Sequence, residues 1–239
     1  MKISYNNYNI VVTGVSKGIG KSIAETYLKL GANVIGNSTS KSYKRGKLRV
    51  IKSNFLLENE LDAFLIEVKK LKRIDILINN VGINKIEQVS KIKDETIDKI
   101  INVNLISSIK ITREVSKRMI KQKKGKIINI SSIFGVVSKE KRSLYSSTKF
   151  ALNGFTKATA LDLAPHNIQV NSISPGFVKT DLTKKILGRK GINNIKRQIP
   201  INRLAEPLEI AEVSSLITSD YFRYMTGQNI VIDGGYLSK

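Results

Sequence analysis

Short runs of consecutive apolar residues alternate along the chain with longer stretches in which apolar residues recur every three or four positions. NIVVT at 9–13 is brief and rich in β-branched residues, which predicts a buried strand. The next segment places Ile19, Ile23, Tyr27 and Leu30 on one helical face, and Gly31 stands where such a helix would end. The alternation continues with strands predicted at ANVIG (32–36), LRVIK (48–52), IDILIN (74–79), KIINIS (126–131), IQVNSIS (168–174) and NIVIDG (229–234). Helices are predicted over 58–71, 94–121 and 145–163, and a last one opens at Pro207.

Seven largely β-branched strands separated mostly by helices predict a doubly wound, seven-stranded parallel α/β sheet in one domain spanning 1–239. In such a sheet the ligand crevice lies beyond the carboxyl ends of the strands. Only about 11 residues separate the second and third strands, near the minimum for a parallel crossover, so any helix there must be very short or absent. Residues 181–204 are polar and loop-like, as expected of a substrate lid.

Composition narrows the chemistry. No apolar run reaches the length of a membrane span, and MKISYNNYNIVV has no secretory pattern, so the expected compartment is the cytoplasm. The absence of cysteine excludes thiolate nucleophiles and cysteine-held zinc, and the single histidine, His166, excludes a histidine-rich metal site. The formal charge is +22, yet lysines outnumber arginines 31 to 10 and are scattered along the whole length. Readers of nucleic-acid grooves lean on arginine forks, so a solvated basic surface is favoured over a nucleic-acid face. A non-catalytic cofactor sensor or nucleic-acid-binding protein is the alternative of another class, and a missing catalytic group would favour it.

Directly after the first strand stands Thr13-Gly14-Val15-Ser16-Lys17-Gly18-Ile19-Gly20, and then a helix. Glycines there allow a tight turn, close approach to a pyrophosphate and packing of helix on sheet. The helix N-terminus offers unpaired amides to the phosphates. Further on, SLYSSTKF places Tyr145 four residues before Lys149. About one such pair is expected by chance in so lysine-rich a chain, and Tyr43 with Lys47 is a second instance, in a basic loop. A free tyrosine holds its proton too tightly for fast exchange at neutral pH, and an ammonium one turn away is expected to lower its pKa.

The spacing TGxxxGxG, together with NNVG at 79–82, Asn104, Ser132, the Tyr145/Lys149 pair and PGFVKT at 175–180, resembles the short-chain dehydrogenase/reductases along almost the whole chain. IPINRLAEP and MTGQNIVIDGG are most similar to the 3-oxoacyl-[acyl-carrier-protein] reductases among them. The resemblance implies that Tyr145 is the proton donor, that Ser132 positions the substrate carbonyl, and that Asn104 supports a water relay to Lys149. It also implies that Lys149 holds the cofactor ribose.

An NAD-binding chain commonly ends its second strand with an acid, but Gly36-Asn37-Ser38-Thr39-Ser40-Lys41 has none. Lys17, with Lys41, Lys44 and Arg45, could neutralise a 2′-phosphate, so NADP(H) is expected over NAD(H). The cofactor is expected to meet Gly14, Ser16, Lys17, Gly18, Ile19 and Gly20 on the first loop and Thr39 on the second. By resemblance, Asn54 and Phe55 flank its adenine, Asn80 and Gly82 line its middle, and Val178 and Thr180 contact its carboxamide. Lys139, Lys141 and Arg142, and the cluster Lys121, Lys123, Lys124 and Lys126, could recognise an acidic acyl carrier protein. The same scaffold also serves sugar, polyol and other small-alcohol dehydrogenases. Family members commonly assemble as tetramers through the long helices after the fourth and fifth strands, so a homo-oligomer is expected.

Overall fold

A computed structural model describes residues 3–238. The chain runs β1 (Asn9–Val12), α1 (Gly18–Lys29), β2 (Asn33–Ser38), β3 (Tyr43–Arg45), β4 (Leu48–Lys52), α2 (Glu58–Lys69), β5 (Ile76–Asn79) and α3 (Asp94–Ile101). It continues with α4 (Ser107–Gln122), β6 (Gly125–Ile130), α5 (Ser143–Leu163), β7 (Ile168–Pro175), α6 (Asp181–Gln198), α7 (Pro207–Ile217) and β8 (Asn229–Ile232). The strands form one sheet in the order β3-β4-β2-β1-β5-β6-β7-β8. All neighbours are parallel except β3 and β4.

That antiparallel edge strand corrects the expected count from seven to eight. It also shows how the short second crossover is closed. The chain returns through a hairpin, pairing Tyr43 with Val50 and Arg45 with Leu48, and Gly46 turns it at φ 55°. Tyr43 and Lys47 thus lie on a hairpin, with Lys47 Nζ donating to the Gly31 carbonyl at 2.9 Å.

Side chains alternate across each strand, so one sheet feeds two cores. Ile10, Val12, Ile76, Ile78, Ile128 and Ile130 face one way, toward α1 and α7. Val11, Leu77, Ile127 and Val170 face the other, toward α2, α4 and α5. Each fully buried Ile or Leu contributes about 2–3 kcal/mol relative to exposure, which is what holds helices on both faces. A buried polar ladder fixes the second face in register. Asn79 Nδ2 donates to Thr112 Oγ1 at 2.9 Å and to Asn129 Oδ1 at 2.8 Å, and Asn129 Nδ2 donates to Thr156 Oγ1 at 2.9 Å. It pins α4 and α5 to β5 and β6, and so sets where α5 begins.

Two helices depart from their expected form. The stretch expected as one helix over 94–121 is interrupted at Asn102–Ile106 by a π turn, closed by the Ser107 N–H donating to the Asn102 carbonyl. Residues 181–204, expected as a loop, are mostly α6, kinked at Gly188 where φ is 60°. Its sparse apolar residues include Leu187, Ile192 and Ile195, which pack in a satellite cluster with Ile199, Leu204, Phe177 and Tyr236. Among the described residues no helix is long and apolar enough to cross a membrane.

Candidate active site

The turn after β1 is held open by its neighbours. Gly14 and Gly18 take φ of 74° and 58°, a region that side chains disfavour. Gly20 has no room for a Cβ, which would lie 2.2 Å from the Gly14 carbonyl oxygen. Asn80 Nδ2 donates to the Thr13 carbonyl at 2.8 Å, and the Asn80 and Val81 amides donate to Thr13 Oγ1 at 2.8 and 3.1 Å. Asn37 Oδ1 accepts from the Gly14 amide at 2.8 Å while its Nδ2 donates to the Ser53 carbonyl at 2.9 Å. Lys17, the exposed N-cap of α1, provides no side-chain cap, so the first amides of α1 stay available to an anion. Ser16 is exposed and Ile19 half-buried on the same turn.

The β6 end and the start of α5 bring the reactive groups together. Ser132 is buried in extended backbone, and its Oγ accepts from the Phe134 amide at 3.1 Å and shares the cleft with Tyr145. The Ile133–Gly135 turn packs so closely on α5 that a Cβ on Gly135 would meet the Lys149 carbonyl at 2.8 Å. Lys149 is only 3 % exposed, and its Nζ donates to the Ile130 carbonyl at 2.9 Å and lies 5.7 Å from the centre of the Tyr145 ring. Burial lowers the Lys149 pKa to about 8. Burial also pushes the Tyr145 hydroxyl up, opposed by its bond with Ser132 and by the charge of Arg142. The expected net lowering is therefore corrected: in the protein alone, loss of water around the phenol outweighs Ser132 and the charge of Arg142.

Asn104 sits in the π turn, fully buried. Its Oδ1 accepts from the Ile83 amide at 2.8 Å, and its Nδ2 donates to the Ile83 carbonyl at 2.9 Å and to Thr148 Oγ1 at 3.2 Å. It thereby ties the segment after NNVG to α5. A Cβ on Gly82 would lie 3.6 Å from both Asn104 Oδ1 and Lys149 Nζ, so Gly82 stands directly beside both groups, and Asn80 two residues earlier stands beside Gly14 and Gly20. Lys149 Nζ spends one N–H on Ile130, leaving two for a bound group. The bare glycines, the open helix N-terminus and this half-used ammonium fit a nicotinamide dinucleotide.

The other residues expected at the cofactor divide. Thr39, Lys41, Lys44 and Arg45 are exposed beyond β2 and on β3. Asn54 Oδ1 accepts from the Leu56 amide at 3.1 Å, and Glu60 binds the Asn54 amide, so Asn54 shapes the turn after β4. Phe55 buries its ring against Phe64, 5.5 Å between ring centres, which leaves only its backbone at the turn after β4. Val178 is buried and bridges Ala205. Thr180 caps α6, its Oγ1 accepting from the Thr183 amide, and it lies close enough to Gly18 that an added Cβ there would meet it at 3.3 Å.

Ser132 and Tyr145 open into a cleft of roughly 100 Å³, roofed by Leu182 and Ile186 of α6. Two of its groups escaped the sequence reading. Arg142, expected at an entrance, is buried inside the cleft, and Asn84 places an unpartnered carboxamide oxygen there. The spacing of Arg142 three residues before Tyr145 was the available signal. Asn37 was noted only for not being an acid. Lys126, expected in a surface cluster, tucks its ammonium under the Ser219 and Phe222 carbonyls instead.

The family model described as enoyl-(acyl carrier protein) reductase matches residues 14–237. The 3-oxoacyl-[acyl-carrier-protein] reductase FabG of Rickettsia conorii is 36 % identical over 231 residues, 95 % of either chain. That of Thermotoga maritima is 35 % identical, covering 94 % of this chain and 96 % of its own. Among solved structures, 4-hydroxyisoleucine dehydrogenase complexed with NADH superposes with a TM-score of 0.89 at 31 % identity over 98 % of this chain and 100 % of its own. ElxO with NADP bound gives 0.88 at 29 % identity, with the same coverage. Thermoplasma acidophilum aldohexose dehydrogenase gives 0.90 at 27 % identity, covering 98 % of this chain and 95 % of its own. The chain belongs to the short-chain dehydrogenase/reductase family and is an NAD(P)-dependent oxidoreductase.

Proposed function

We propose that this protein is an NADPH-dependent ketone reductase acting on 3-oxoacyl groups carried as thioesters on an acidic carrier protein. The observation that carries the reading is the Ser132–Tyr145 pair beside the buried Lys149, all at the carboxyl edge of the sheet. NADPH supplies the hydride when bound. The glycine loop and the α1 amides receive its phosphates, and the two free N–H groups of Lys149 hold its ribose. Ser132 orients the ketone oxygen by hydrogen bonding, and Tyr145 gives that oxygen its proton as charge develops. Lys149 and Arg142 offset the phenolate left behind. Asn104 keeps the Gly82 segment and α5 in register so that these groups stay aligned.

NADPH is favoured because β2 ends without a carboxylate and Asn37, in the acid's neighbourhood, is consumed by internal bonds to Gly14 and Ser53. Lys17, Lys41, Lys44 and Arg45 remain exposed around that end. The carrier is supported by the relatives' names and by Lys139 and Lys141, exposed on the loop that leads into Arg142. In this reading α6 is the lid, and the protein is a cytoplasmic homo-oligomer assembled through α4 and α5, with Phe150 and Leu161 exposed on α5.

The test is NADPH oxidation with an acetoacetyl thioester. Tyr145→Phe is expected to lower kcat about 100-fold or more while NADPH affinity, read by fluorescence, is retained. Undiminished turnover in the variant, or no NADPH oxidation by the native protein with any ketone, would overturn the reading.

A further inference from the structure

Arg142 is the outlier of the cleft. It is 6 % exposed and lines the cleft beside Ser132, Tyr145 and Asn84. Among the described residues its guanidinium forms no ion pair and donates no hydrogen bond. Its closest support is the face of Phe134, 5.3 Å from the guanidinium carbon to the ring centre. Tyr145 and Glu140 are the groups of opposite polarity near enough to influence it. Lys139 and Lys141 on the same loop are exposed. A cation taken out of water without a counter-charge is unfavourable, and a cation–π contact offsets only part of that. Asn84 adds a second unsatisfied polar group to the same small space, its Oδ1 buried and without a partner. Arg142 therefore lacks the counter-charge that an anionic ligand would provide, whereas the Asn84 oxygen, an acceptor, calls for a donor.

The chemistry of that ligand follows from the fork and its position. A guanidinium presents paired N–H donors that match a carboxylate. Arg142 lies three residues before Tyr145, so an anion held by it sits next to the carbon being reduced. The cleft, roofed by Leu182 and Ile186, admits a short apolar tail and little else.

We propose that Arg142 is a specificity-determining residue that binds the carboxylate of short free 3-oxo acids, and that beside carrier-borne thioesters the protein reduces these acids in preference to their neutral esters of equal chain length. This rests on the ketone-reductase reading. In the reaction the ketone carbon gains a hydride from NADPH and its oxygen gains the Tyr145 proton. NADP⁺ and a 3-hydroxy acid are formed, and the carboxylate passes through unchanged. A neutral ester offers the same fork only a carbonyl oxygen, a weaker acceptor.

The experiment compares acetoacetate and methyl acetoacetate as substrates with NADPH. Native protein is expected to favour the free acid over the ester by roughly 10-fold to 100-fold in kcat/KM, the range of a charge-assisted hydrogen bond. Arg142→Gln keeps N–H donors but not the charge; beyond a fall in kcat common to acid and ester from the weaker support of the phenolate, it is expected to bring the ratio of acid to ester near one through the KM of the acid. Arg142→Lys is expected to retain part of the preference. A native ratio at or below one, or an Arg142→Gln effect equal on acid and ester, overturns the proposal. If no ketone is reduced, the reductase reading falls by itself. Calorimetric binding of acetoacetate to native protein and Arg142→Gln then decides the anion site: binding weakened by the substitution supports it, and no binding sinks it.

Discussion

Replacing Lys149 by methionine removes a buried charge at nearly constant length, and the structure sets what that should do. Burial lowers this ammonium from 10.5 to about 8, with no carboxylate within ion-pair distance among the described residues. Between about pH 8 and 10.5 the unfolded chain binds the proton that the folded one has lost, so this group's effect is to make stability rise with pH across that window. Below about pH 8 both states are protonated and the full penalty applies, about 3 kcal/mol. Methionine escapes the penalty but forfeits the bond to the Ile130 carbonyl, about 1 kcal/mol. Lys149→Met is therefore expected to be about 2 kcal/mol more stable than the native chain at pH 7 and to lose that advantage by about pH 10. Urea denaturation at both pH values, in high salt to screen the change in net charge, measures it. A variant less stable at pH 7, or a difference that does not shrink with pH, would refute the reasoning. The same variant should bind NADPH poorly and turn over no ketone, which would mark the charge as kept for chemistry at the expense of the fold.

Two further substitutions test the cofactor side. Gly20→Ala places a methyl 2.2 Å from the Gly14 carbonyl oxygen, so it is expected to lose about 1–3 kcal/mol in thermal melts and to weaken NADPH binding about 10-fold or more. Gly154→Ala, where an added Cβ meets nothing within 4 Å, should be neutral or slightly stabilising by comparison. Lys17→Glu reverses an exposed charge at the α1 N-cap and is expected to lower the ratio of kcat/KM with NADPH to that with NADH about 10-fold or more. An unchanged ratio would remove Lys17 from cofactor discrimination.

The sheet was legible because its central strands are buried on both sides, and a run such as Ile76–Asn79 has no other stable home. The glycine loop was legible because each glycine answers a backbone demand visible in spacing alone. The edge was not. Tyr43–Arg45 is an exposed, lysine-rich segment whose strand form comes from pairing with β4 rather than from its own pattern. α6 was hidden for a related reason, since its few apolar residues are interrupted by the Gly188 kink. The π turn at Asn104 leaves no trace in hydrophobic period, because one extra residue in a long helix shifts the pattern by less than the pattern's own scatter. Arg142 was misread because charge suggests water; only the packing of Phe134 over it reveals burial.

The placement of charge around Tyr145 argues for a site satisfied by reaction rather than by rest. Lys149 and Arg142 stand four residues after and three before it, and among the described residues both are buried with no carboxylate within ion-pair distance. A nearby aspartate would relieve both cations and stabilise the resting protein. It would also cancel the positive field at the phenol and repel any oxygen that gains negative charge. The arrangement instead leaves a phenol whose proton is held more firmly than usual, beside cations whose desolvation is relieved only when anionic groups arrive. Those groups are the oxygen of the ketone as it accepts hydride, the phenolate as its proton departs, and in our proposal the substrate's carboxylate. Stabilisation that strengthens as charge develops lowers the barrier, whereas a resting ion pair would lower only the ground state.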